Sequence, residues 1–336
     1  MPANIAHTMG RYNAMYVGYP AWHRLGEVVS EAKTPEEAME IAGTNFTVAP
    51  ADVYAKIGDE YHLYPGSRIN YRTDNNALLG ITSDEYPIIQ NLTPMQMLNE
   101  IVRTSQAGIV AHAALGKGER LFAVLDLTRL ADLQIPHDPS KHDAFLVAQW
   151  WHDGSGALAF GESLVRVDCQ NMANAQLAYA QRAGRLARIV HRGNTTDAVE
   201  EAQRILGYAE RHILTFTELL KDLVEIPIIN AGWIDDFTAK LVPIPPEMER
   251  PASREEARDT IAYLYKESPT LAGVPNSPYR AFQAVTEYAD HYRPLRVADA
   301  ELVPARRFTT AMDGPAADLK SNAMRLLKEE FEIHHG

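Results

Sequence analysis

Cysteine is nearly absent. Cys169 stands alone in 336 residues, so the chain can form neither an internal disulfide nor a thiolate metal cluster, and a reducing cytoplasm is its natural compartment. Long apolar runs are missing as well. No stretch approaches the roughly 20 residues that span a bilayer, and the opening MPANIAHTMGRYNAMYVGYP lacks the charged start and apolar core of a secretion signal. Positive charge is in short supply: 32 Lys and Arg against 44 Asp and Glu leave a formal charge of −12. That balance argues against indiscriminate polyanion binding, although a local arginine cluster can still hold nucleic acid. No GxGxxG and no Walker loop occurs, which weakens nucleotide-binding readings.

What is present points to a soluble globular protein of about two domains, with 46% hydrophobic and 23% charged residues. The first twenty residues show no period and read as an arm or loop. Thr34-Pro35-Glu36-Glu37 then opens a helix through a capping box, and Gly43 ends it. Between Phe46 and Gln90 the pattern shortens to strand-like pieces: FTVAPADVYA, EYHLYP, SRINYR, NALLGITS and YPIIQ. Thr93-Pro94 starts a second helix, with Met95, Leu98, Ile101 and Val102 at helical spacing. GIVAHAALGKGERLFAVLDLT reads as a hairpin turning at Gly116-Lys117-Gly118, and HDAFLVAQWW and GALAFGESLVRVDC add two strands around Asp153-Gly154.

From Asn171 the character turns helical. MANAQLAYAQRAGRLARIV is one helix with Asn171 as its cap, and Thr195 to about Glu225 is another. Further helices are expected over 231–241, from a capping box at Ser253 and Glu256, from Ser277-Pro278 through Tyr292, and in the tail AADLKSNAMRLLKEEFEI. The expected fold is α+β, an antiparallel β-meander with packed helices followed by a mainly helical C-terminal half. The expected organisation is an α+β domain over 1–170, a long-helix region continuing the core over 171–242, a proline-rich linker at 243–253, and a helical region over 254–336.

Several segments together resemble the phage/plasmid-like protein family, a domain-of-unknown-function family numbered 932. They are PAWHRLG at 20–26, NALLGITSDEYPIIQN at 76–91, HDGSGAL at 152–158, RVDCQNM at 166–172, ARIVHRGN around His191, and SPYRAFQAVTEYADHYRP near the C-terminus. The resemblance runs over nearly the whole chain. It brings no established activity; it implies a mobile-element protein of a bacterial host cytoplasm.

Five groups of residues carry candidate chemistry. Arg182, Arg185, Arg188 and Arg192 fall within about a third of a helix circumference. Such a stripe fits phosphates bidentately, or else is a solvated face paired with Glu200, Glu201 or Glu210. Lys117, Arg120 and Arg166 extend it if their strands lie nearby. His152-Asp153-Gly154-Ser155 is a hairpin turn by its chemistry, or a source of metal ligands and acid/base groups together with the neighbouring pairs His137-Asp138 and His142-Asp143. Cys169 and His191 could form a nucleophile pair, or Cys169 is strand packing. Glu287, Asp290 and His291 share a helix face, as metal ligands with His23 or His152, or as an internal polar network. Trp22 and whichever of Trp150 and Trp151 faces outward offer surfaces for unpaired bases.

The leading functional expectation is a single-stranded nucleic-acid-binding protein of recombination or replication, in the manner of an annealing protein. It would act as a homo-oligomer, with no membrane association and no cofactor. The enzyme alternative is a metal-dependent hydrolase in which His152, Asp153, His191, Glu287 and His291 converge on a divalent ion. A third reading is a non-catalytic protein that binds a host factor.

Overall fold

The computed structural model describes residues 5–8, 10–18, 26–105, 107–130, 133–156, 158–166, 171–173, 195–247, 251–295 and 314–333, with the backbone alone for 130, 163–166, 171–173, 195–199 and 201–202. The fold is α+β. Its largest sheet has seven strands in the order β12-β11-β10-β9-β8-β3-β4. These are Asn171–Ala173 (β12), Ala159–Arg166 (β11), His142–Trp151 (β10), Arg120–Asp126 (β9), Ile109–Leu115 (β8), Ala14–Val17 (β3) and Glu27–Val29 (β4). A second sheet of three strands follows the order β5-β6-β7, made of Val48–Ile57, Glu60–Arg72 and Leu78–Ser83. His7–Thr8 (β1) and Arg11–Tyr12 (β2) form a small hairpin of their own.

Helices α1 (Pro35–Ala42) and α2 (Leu92–Ser105) lie between the early strands, and the C-terminal half carries α3 (Thr195–Glu225), α4 (Trp233–Leu241), α5 (Ala252–Glu267), α6 (Pro278–Glu287) and α7 (Pro315–Glu330). The described residues gather into two compact units. The first comes from Met1–Asp126, Leu146–Phe160 and Ala187–Gly207, the second from Leu127–Phe145, Gly161–Leu186 and Tyr208–Gly336.

In the first unit, α1 forms where its chemistry says it should. The Thr34 side chain accepts from the Glu37 N–H, the Glu37 carboxylate accepts in return from the Thr34 N–H, and Gly43 closes the helix. Ala38, Met39 and Ala42 are buried, as are Met95, Met97, Leu98 and Ile101 of α2, which packs against α1. The N-terminal arm departs from expectation. Ala14–Val17 pairs antiparallel with β8 and parallel with β4, and Ala14, Met15 and Tyr16 are buried. Three consecutive buried residues show no alternation, so no period marks them as a strand.

Three further expectations are corrected. EYHLYP and SRINYR are one continuous strand, Glu60–Arg72. Pro65 interrupts nothing because the register jumps from Asp52↔Arg68 to Tyr54↔Leu63, leaving residues 64–67 without partners on β5. YPIIQ is not a strand; Tyr86 instead donates its hydroxyl to the carbonyls of Trp151 and Gly156. Asn171 begins the short strand β12, paired with Leu164–Arg166, in place of capping a helix. The residues beyond it, 174–194, lie outside those described.

In the second unit, α6 is buried along its whole length. It packs against α5 and α7, and it opens as its sequence implies, with Ser277 Oγ accepting from the Arg280 N–H ahead of Pro278. Its last turn widens into a π-helix over Tyr288–Tyr292. The capping box expected at Ser253 is absent: α5 already begins at Ala252, so Ser253 sits inside the first turn, and no side chain caps it.

Candidate functional site

Beyond the bulge in the first unit, β5 and β6 continue as a two-stranded ribbon turning at Gly58-Asp59, and nearly every side chain on it is exposed. Antiparallel register assigns the faces, since directly paired residues point the same way and neighbours point oppositely. Tyr54 pairs with Leu63 and Lys56 with Tyr61, so these four share one face. Ala55 with His62 and Ile57 with Glu60 share the other. The first face therefore carries two aromatic rings, one ammonium and no carboxylate. Tyr61 is 70% exposed, Tyr54 55% and Leu63 54%, and Lys56 Nζ lies 5.9 Å from the Tyr61 ring centre. The Glu60 carboxylate is on the far face, 3.7 Å from His62.

Where the three-stranded sheet turns inward, the same unit buries a polar assembly in which Asn91 and His152, from the resemblance segments 76–91 and 152–158, meet. Asn91 is its hub. The Asn91 side-chain amide donates to the carbonyls of Thr44 and Phe46, at 2.9 and 3.2 Å. Its Oδ1 accepts from Trp150 Nε1 at 2.9 Å and from His152 Nε2 at 2.8 Å. Asn70 donates to the His152 carbonyl at 2.8 Å. Arg72, wholly buried, grips Asp74 with two hydrogen bonds, donates to the Lys117 carbonyl, and stacks 3.7 Å from the Phe46 ring centre. The turn that offers this carbonyl needs Gly118. Its φ is +108°, and a Cβ there would come within 3.0 Å of Phe46 and 3.1 Å of Arg72.

A second buried imidazole, His112, stacks on Trp150 at 5.9 Å and meets Thr44 Oγ1 at 2.6 Å and the Phe122 carbonyl at 2.7 Å. Burial pulls both His112 and His152 down to about 4; the Phe122 carbonyl opposes this for His112, and for His152 Asp153 opposes it while Arg72 adds to it. Both rings are neutral at physiological pH.

The second unit handles its buried polar groups by pairing them along α6. Tyr279 donates to Asp138 Oδ2 at 2.5 Å, and its oxygen then accepts from His142 Nε2 at 3.0 Å. Arg280 donates to the carbonyls of Tyr265, Leu271 and Val274. Glu287 accepts from Ser268 and from Thr270. Asp290 pairs with Lys320, which is fully buried.

The candidate residues are distributed accordingly. His152 and Asp153 belong to the first unit, Glu287 and His291 to the second, and His291 is exposed while Glu287 is buried. Asp153 Oδ1 accepts from the N–H and the hydroxyl of Ser155, the chemistry of a turn. Among the described residues, no group of three or more His, Cys, Asp or Glu could hold a metal ion.

Lys117 is exposed, whereas Arg120 is half-buried, donating to Gln149 at 2.9 Å with its guanidinium 5.0 Å from the Trp151 ring. Neither Trp150 nor Trp151 faces outward: the last six residues of β10 are all buried, because that strand is covered on both faces. Arg182, Arg185, Arg188, Arg192, His191, Cys169, Trp22, His23 and the Arg166 side chain lie outside the described residues. The ribbon face and the Asn91 hub were not singled out from sequence. The ribbon did leave a signal, alternating Tyr, Lys, Tyr and Leu about a Gly-Asp turn; an isolated asparagine leaves none.

Neither a curated protein nor a solved structure matches the chain. A family model described as a domain of unknown function, DUF932, does match, over residues 78–312. That span takes in Asn91, the His152 turn and all of α6, and it is most of the chain. The chain belongs to the DUF932 family.

Proposed function

We propose that this protein binds single-stranded nucleic acid, and that the ribbon face of Tyr54, Lys56, Tyr61 and Leu63 is a stacking platform for unpaired bases. The observation that carries the reading is the composition of that face: exposed aromatic rings beside an ammonium, with the carboxylate turned away. Every base has a π-face, so tyrosines accept bases without regard to sequence, and a neighbouring cation holds the backbone. The arginines at 182, 185, 188 and 192 supply further phosphate contacts in this reading. Such a protein needs no active site. It fits an accessory of recombination or replication in a mobile element, an annealing protein among them, working in a bacterial cytoplasm.

The test is fluorescence anisotropy of labelled single-stranded DNA against the full chain. Binding should fall as salt rises. Tyr54→Ala and Tyr61→Ala should each cost ~1–3 kcal/mol on every sequence tried. Lys56→Ala should flatten the salt dependence by about one phosphate contact. A protein that ignores single-stranded DNA at low salt, or tyrosine variants that bind as wild type does, would sink the proposal.

A further inference from the structure

Independently of nucleic-acid binding, we infer that the solvent face of the three-stranded sheet is where a second copy of this chain docks. Register builds this face in two rows. Ala51 pairs with Ile69 and Ile69 with Ile81; Ala49 pairs with Tyr71 and Tyr71 with Leu78. All six side chains are apolar or aromatic, and none is charged. Ile81 is 59% exposed and Leu78 53%, with Ala51 exposed and Ala49, Ile69 and Tyr71 half-buried.

The opposite face is already occupied by the protein's interior, for Val48, Asn70, Arg72, Leu79 and Thr82 are buried. An antiparallel sheet with one wet face ordinarily alternates apolar-in with polar-out. Here the outward positions are apolar instead of polar while the inward ones are buried, which is the pattern of a sheet covered on both sides.

Two arguments make the cover another copy. The first is area. Counting ~30 Å² per exposed methylene equivalent, the six residues present on the order of 300–400 Å². A standard interface buries ~800 Å² per partner, somewhat over half of it apolar. Two such faces laid together, with their serine and threonine margins, therefore approach an interface of that class, in the aligned packing that twisted sheets adopt. The second is charge. Each copy carries −12, so two copies repel at a distance and meet most readily through a face that buries no charge. A two-fold contact of this kind is self-complementary, each row meeting the other copy's equivalent.

The charge argument also separates this inference from the preceding one, because screening has opposite effects on the two. Sedimentation of the full chain should show a monomer–dimer equilibrium that shifts toward dimer as salt rises, while anisotropy with single-stranded DNA weakens. Ile81→Lys and Leu78→Glu should each loosen the dimer at least about tenfold. Both sites are more than half exposed, so far-UV circular dichroism should not change. Ile57→Lys, on the ribbon and 65% exposed, should leave the dimer as it is. A wild-type chain that stays monomeric at every salt concentration overturns the inference and assigns the face to a different protein. A dimer indifferent to both substitutions, or salt alone dissociating it, overturns it too.

Discussion

His152 is tied to Asn91 by one hydrogen bond of 2.8 Å that decides which ring nitrogen carries the proton. The Asn91 amide nitrogen is committed to two backbone carbonyls, so its Oδ1 can only accept, and His152 must donate from Nε2. The ring carries a proton on Nε2, is kept neutral by its burial, and is oriented against the Phe46 edge, with centroids 6.3 Å apart.

The hub position makes the first unit sensitive to the loss of Asn91. Asn91→Leu removes an acceptor shared by two buried N–H groups and two donors used by buried carbonyls. Each stranded group costs ~1–3 kcal/mol, so a loss of at least about 3 kcal/mol is expected. Urea unfolding followed by tryptophan fluorescence reports it directly, since Trp150 is one of the stranded partners. A midpoint unchanged from wild type would show that the hub is not structural.

Acid should destabilise the first unit through His112 and His152. Both sit near 4 when folded and near 6.5 when unfolded. Between those values the unfolded chain binds more protons, so stability rises with pH there; it is complete above about 6.5 and drains as pH falls toward 4. Each ring accounts for on the order of 3 kcal/mol at most. Thermal melts between pH 7 and pH 4 should therefore steepen in their decline below about 6.5, and His112→Phe should remove part of that slope. An equal slope in the variant would reject the assignment.

In the second unit, the Asp290–Lys320 pair is out of water, so halving it differs from removing it. Asp290→Leu alone removes the carboxylate paired with the buried Lys320 ammonium and should cost ~3–5 kcal/mol. The double substitution with Lys320→Met removes both charges of the pair and should recover most of that loss. Denaturant midpoints of the two single variants and the double variant form the required cycle, and additive losses would rule out the coupling.

Local chemistry was legible where a few adjacent residues decide the outcome. Thr34, Pro35 and Glu37 specify the start of α1 within one turn, Gly116 and Gly118 specify a hairpin, and the 31 residues of Thr195–Glu225 carry a helical period long enough to read. Ser253 shows the limit of such signals. Its spacing to Glu256 is right, yet α5 begins at Ala252, next to Pro251, and leaves no cap to make.

Of the candidate site, the sequence showed residue types and little of their company. Glu287 and Asp290 were visible on one helix face, but Ser268, Thr270 and Lys320, which occupy their carboxylates, come from other elements. Trp150 and Trp151 were visible as neighbours on a strand, and alternation alone would turn one outward.

By itself, then, the sequence determined the α+β class, the capped helices, the main hairpins and membership of a family of unknown function, because each rests on contacts between near neighbours or on a recurring pattern of residues. The tertiary structure alone decided that Ala14–Val17 joins the large sheet, that both tryptophans are covered, that Asn91 gathers Trp150 and His152, and that Tyr54, Lys56, Tyr61 and Leu63 stand in solvent. Those outcomes depend on which distant segments lie on either side of a strand, and burial at one residue is set by neighbours that its own sequence does not contain.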